Sequence, residues 1–80
     1  MKIYDYNGRK NICGDRLLEA RVVQRLRQED LAARIQTMGV NMERDSISGI
    51  EIGTRFVSDF ELKVFAKALG VSVDWLLENE

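Results

Sequence analysis

Proline and histidine are both absent from this 80-residue sequence, and cysteine occurs once, at Cys13. Without histidine, a serine or cysteine nucleophile lacks its usual imidazole base. A single thiol can form neither an internal disulfide nor a zinc or iron–sulfur site. Glycine-rich phosphate loops of the Walker or dinucleotide type are missing too. An enzyme is thus disfavoured, and neither catalytic residues, a metal, a cofactor nor a small-molecule ligand is expected. Long apolar runs are also lacking, and Met1-Lys2-Ile3-Tyr4-Asp5-Tyr6 has no secretory-signal core, so no membrane partner and a reducing cytoplasmic setting are expected.

What is present suits one soluble domain. A chain this short buries only about two-thirds of its unfolded surface and cannot divide into two independent cores. The composition, 45% apolar and 31% charged, is too apolar for disorder. Net charge is −1, but it is unevenly distributed: Met1 to Arg27 carries seven bases against three acids, whereas Asp59, Glu61, Asp74, Glu78 and Glu80 dominate the last third. That pattern predicts a polarised molecule.

In the absence of proline, glycines supply the punctuation, and the apolar residues between them recur at helical spacing. Cys13, Leu17, Ala20 and Gln24, with Leu18 and Val22 beside them, predict a first helix over about 15–25. Leu31, Ala32, Ile35 and Met38 draw a second, stopped by Gly39; Ile47 and Ile50 mark a short third, ended by Gly53. Ser58-Asp59-Phe60-Glu61 is a capping box that opens a fourth helix carrying Leu62, Phe65, Ala66 and Leu69, closed by Gly70. Ser72 caps a fifth with Val73, Trp75, Leu76 and Leu77. Ahead of these, residues 1–12 are expected to form an extended arm, with an Asn7-Gly8 hairpin as the alternative. Residues 13–80 are the helical domain. Arg9 and Lys10 either contact an anionic partner or are solvated charges. Cys13 is expected in the core, and Tyr4, Tyr6 and Phe56 either form an interaction patch or fold back on the domain.

Three segments stand in a telling order: Gln28-Glu29-Asp30-Leu31-Ala32, then Ser46-Ile47-Ser48 with Ile50-Glu51 and Gly53, then Ala68-Leu69-Gly70-Val71-Ser72-Val73-Asp74-Trp75-Leu76-Leu77. With them the chain resembles the Cro/repressor-type, XRE-like family of phage and bacterial helix-turn-helix regulators over about residues 12–78. The resemblance implies an all-α, compact five-helix, lambda-repressor-like domain that binds double-stranded DNA, as a homodimer on a palindromic site, and regulates transcription. It also implies that the third helix enters the major groove, with Arg44, Asp45, Ser48 and Gly49 at base-reading positions. Arg44 can donate two hydrogen bonds to a guanine edge, and Asp45 can accept from a cytosine amino group. Gln28, Thr54 and Arg55 match positions that contact the DNA backbone, and Arg21 and Glu51 match an arginine–glutamate pair inside the domain.

Two features set this chain apart from that pattern. Between Ile35 and Arg44 the connection is longer than the family's tight turn, which predicts that helix two runs a turn further. Glu43 stands in the cap position, where it and Asp45 can simply support the helix dipole. Glu43, Asp45, Gly49 and the overall acidity favour an alternative: an interaction module that keeps the fold and reads another protein.

Overall fold

A computed structural model describes residues 5–78 as five helices: α1 (Gly14–Val23), α2 (Gln28–Thr37), α3 (Arg44–Ile52), α4 (Asp59–Leu69) and α5 (Val73–Leu77). The capping chemistry sets most of these limits. Ser58 Oγ accepts from the Glu61 amide at 3.4 Å while the Glu61 carboxylate accepts from the Ser58 amide at 3.0 Å, so α4 begins with both halves of its box. Ser72 Oγ accepts from the Trp75 amide at 3.0 Å. Gly53 and Gly70 end α3 and α4 with φ of +88° and +69°, the left-handed conformation that favours glycine. α1 stops two residues earlier than the apolar spacing predicts, because Arg25 itself takes a left-handed φ of 59° and its amide turns back to the Val22 carbonyl.

The long connection divides differently from a simple helix extension. α2 continues past Ile35 only to Thr37, and residues 38–43 form a loop. Met38, expected on the apolar stripe, is 37% exposed, and Met42 from the loop is buried in its place. The Gln36 side-chain amide donates to the Met42 carbonyl at 2.7 Å and pins that loop across its own helix end.

α3 packs against both α1 and α2, α4 leans on α1 and α2, and α5 closes the far side against α1 and α4. Leu17, Leu31, Ile35, Ile47, Ile50, Phe65 and Leu76 are fully buried where they meet, and Cys13 lies in the same core. Ala32 is buried as well, small where α2 must approach its neighbours. Leu18 and Val22 do not join them; both are exposed, because the buried face of α1 follows Gly14, Leu17 and Ala20. Trp75 is only half-buried, with the Arg16 guanidinium 4.7 Å above its ring.

The arm is not extended throughout. Asn7 and Gly8 both have positive φ, 52° and 81°, and Tyr6 and Arg9 exchange two backbone hydrogen bonds of 2.7 and 3.0 Å around them. This is the tight turn that Asn-Gly favours, closed by one bridged pair rather than a ribbon. Tyr6 and Phe56 are both exposed; Tyr4 lies outside the described residues.

Glu51 is the one charged side chain among the buried residues described, and two other helices compensate it. Arg21 from α1 approaches it with Nε 2.6 Å from Oε2 and Nη2 3.1 Å from Oε1, and Gln28 from α2 donates Nε2 to Oε1 at 2.9 Å. Arg21 also donates to the Leu26 carbonyl at 2.7 Å, tying the α1–α2 turn into the same network. Removing the carboxylate leaves a guanidinium that is only 12% exposed without its counter-charge. Glu51→Ala is therefore expected to destabilise the fold by about 3 kcal/mol or more, measured by urea unfolding. Glu61 behaves differently. Burial pushes its carboxyl up, but hydrogen bonds from Arg55 and Ser58 outweigh that and hold it below the ordinary glutamate range. A lowered native value stabilises the fold above the unfolded pKa, and the contribution disappears as pH falls through the native value. Glu61→Gln should cost about 1–2 kcal/mol at pH 7, and the difference from the parent chain should shrink as pH is lowered below about 4.3. Urea unfolding at pH 7 and pH 3 measures both.

Candidate nucleic-acid interface

With Ile47, Ile50 and Glu51 turned inward, the remaining residues of α3 must face away from the core. Glu43, Arg44, Asp45 and Ile52 are exposed, and Ser48 and Gly49 are half-buried between them. The four positions expected to read bases therefore share one outward face. Glu43 is the N-terminal cap residue, and its side chain makes no capping hydrogen bond. Arg44 lies between two carboxylates, with Nη1 3.4 Å from Asp45 and Nε 4.0 Å from Glu29. Arg44 and Asp45 are 60% and 94% exposed, so these pairings are weak and exchangeable for a stronger anionic or polar partner.

The structure supplies a physical reason for glycine at 49. The chain leaving α3 folds back so tightly that the amides of Gly53, Thr54 and Arg55 all point at the Gly49 carbonyl, at 3.0, 2.9 and 3.2 Å. A side chain at 49 would bring its Cβ to 3.2 Å from the Arg55 Cβ. No spacing rule reveals this, since the constraint comes from a turn four residues later.

Gln28 sits at the first position of α2, with its side-chain amide already donating to Glu51; one N–H of that amide remains for another acceptor. Thr54 is exposed and its hydroxyl lies 3.4 Å from the Gly49 carbonyl. Arg55 is more committed. Its two terminal nitrogens each donate to a different oxygen of Glu61 at 3.1 Å, and Nη1 also reaches the Phe56 carbonyl at 2.9 Å. Beside Gln28, Arg27 is 73% exposed and pairs with Asp30. The Asp30 carboxyl is held below its ordinary range first by the Arg27 amide, which it accepts at 2.9 Å, and then by the Arg27 side chain.

Arg9 is engaged within the fold rather than simply solvated. Its guanidinium lies directly against Gly53, donates to the Glu51 carbonyl at 3.3 Å and stands 3.7 Å from Asp15. A cation at that point faces the negative end of α3. Next to it the Lys10 amide donates to the Gly53 carbonyl at 2.8 Å, and the Asn11 side chain donates to the carbonyls of Ile50, at 3.0 Å, and Arg55, at 2.9 Å. The sequence reading overlooked Asn11; its only sequence signal is a side chain that can cap, just before Gly14.

Among the described residues no three metal-ligating side chains come together, and no helix is long and apolar enough to cross a membrane. The chain matches no family profile and no curated protein. Its structure is similar to the crystal structure of the restriction-modification controller protein C.AhdI from Aeromonas hydrophila. The TM-score is 0.70 and sequence identity 33%, over 80% of this chain and 89% of that one. Identity at that level across nearly the whole relative, together with five helices in this order, places the chain in the Cro/repressor-type, XRE-like helix-turn-helix family.

Proposed function

We propose that the chain is a sequence-specific, non-enzymatic DNA-binding regulator of transcription that lays α3 in the major groove. The observation that carries this is the outward face of α3: Arg44, Asp45, Ser48 and Gly49 lie together on it, held by a core that leaves Arg44 and Asp45 open to a partner. Arg44 is the guanine-reading side chain and Asp45 the acceptor for a cytosine amino group, once a base replaces their mutual contact. Gln28, Thr54 and Arg55 flank the face and set register on the phosphates. C.AhdI is by name a controller, which supports a regulatory rather than a catalytic role.

A single reading helix of nine residues offers few base contacts, so the active species is a homodimer on a palindromic operator. Of the apolar residues near the chain end, Leu76 is buried and Trp75 lies under Arg16, so Leu77 is the one left open to contribute to an interface. It lines a groove with Ile12, Val57 and Leu62.

Selection from a random duplex pool tests the proposal, and a palindrome is the expected product. On the selected site Arg44→Ala should cost about 1–3 kcal/mol and relax preference at one base pair, whereas Gln28→Ala should weaken all duplexes alike. Arg55→Ala should reduce the salt slope by about one unit; an unchanged slope would assign its charge wholly to Glu61. Gly49→Lys, relative to Gly49→Ala, should strengthen non-specific binding by adding a charge on the groove-facing side. If no duplex binds above background at low salt and Gly49→Lys rescues nothing, the chain is an interaction module that has kept this fold.

A further inference from the structure

We infer that Asn11 is a positioning residue for the interface: its one side-chain amide fixes the end of α3, the Thr54–Arg55 loop and the start of α1 relative to one another. The inference rests on the DNA-binding reading given above, which assigns no role to this residue.

The geometry has only one solution. Nδ2 donates to the Ile50 carbonyl at 3.0 Å and to the Arg55 carbonyl at 2.9 Å, while Oδ1 accepts the Gly14 amide at 2.8 Å. Two acceptors on one side and a donor on the other match the inventory of a side-chain amide and fix which atom is nitrogen. Aspartate offers the oxygen for Gly14 but no donors; glutamine is one methylene too long for a joint this close. The closeness is visible at Gly14, where a Cβ would collide with the Ile50 carbonyl oxygen and approach Arg9 and Asn11. Arg9 closes the outer side of the same joint by lying across Gly53.

The functional consequence follows from what the three clamped segments carry. Ile50 is on the last turn of the helix that presents Arg44, Asp45, Ser48 and Gly49. Arg55 belongs to the loop proposed to touch phosphate. Base contacts and phosphate contacts cooperate only when their separation is fixed, because a helix that rocks against its backbone anchors gives up direction in its hydrogen bonds before it gives up charge attraction. Asn11 therefore governs discrimination between sequences rather than overall attraction to DNA.

The test uses the full chain with Asn11→Asp, which retains shape and the bond to Gly14 but sets a carboxylate against two carbonyls. Gly14→Ala opens the same joint from its other side, by collision with the Ile50 carbonyl, with asparagine kept at 11. Val64→Ala, at a half-buried position of α4 outside the Leu77 groove, is the control for lost stability. All are measured at a temperature where each is folded by circular dichroism. Without DNA, amide hydrogen exchange at Gly53, Thr54 and Arg55 should quicken about tenfold more in the two joint variants than at Leu31 or Phe65, consistent with losing hydrogen bonds at that end only. With DNA, the ratio of affinities for the selected duplex and a scrambled one should fall about tenfold, chiefly through the selected duplex, and the ratio should hold in Val64→Ala. Uniform exchange across the chain overturns the clamp. A preserved ratio in Asn11→Asp, with the parent chain discriminating, overturns its role in reading. If the parent chain binds no duplex, the DNA-binding reading has failed and the positioning role falls with it, while the exchange result alone decides whether the clamp exists.

Discussion

Burying a carboxylate is tolerable only when its charge and both oxygens are answered, and at Glu51 the answers come from two other helices. Arg21 reaches it from α1 and Gln28 from α2, so the electrostatic requirement of one residue on α3 fixes the direction from which both neighbours approach. Ile47 and Ile50 supply the apolar contacts on the same face, but apolar contacts alone permit sliding and rotation. The ion pair does not. With Ile47, Ile50 and Glu51 locked inward, Asp45 and Ile52 on the other side of α3 turn outward, and Arg44 stands exposed at its first position. The outward face is thus a consequence of the buried one.

The distribution of cations follows a related logic. The N-terminal third is rich in bases, yet folding commits several of them to local tasks. Arg21 neutralises Glu51, Arg9 lies on the C-terminal end of α3, and Arg16 stacks on Trp75 and reaches Glu78 from the acidic end of the chain. The polarity seen along the sequence is therefore partly cancelled in space, since α5 packs against α1. Arg55 is likewise held by Glu61, which also caps α4. That leaves Arg44 as an exposed arginine on α3, with Arg27 beside α2. A chain of net charge −1 that binds DNA must rely on where its few open cations stand rather than on bulk attraction.

Both ends of α3 are held by unusual means. At its start, the longer connection contributes Met42 to the core and is tied down by Gln36. At its finish, the segment Arg9-Lys10-Asn11 takes over carbonyls that a helix end otherwise leaves to water. The N-terminal segment is thereby built into the end of the helix it caps.

Local rules determined much of this protein from sequence alone. Ser58 and Glu61 satisfy each other's amides wherever they occur at that spacing, glycine is the residue best suited to the positive φ that ends α3 and α4, and Asn7-Gly8 carries its turn whatever surrounds it. The number, order and approximate limits of the helices, and the inward set Leu17, Leu31, Ile35, Ile47, Ile50 and Phe65, were legible for that reason. What only the tertiary structure decided depends on residues distant in the chain. Leu18, Val22 and Met38 have the spacing of core residues but no helix packs over them, while Met42 lies in a loop that happens to fold inward. Gly49 answers to a turn at 53–55, Gly14 to a carbonyl on α3, and Asn11 to two carbonyls some forty positions away. Hydrogen-bond partners that far apart leave no periodic trace, because a pattern records only the local geometry of the element that carries it.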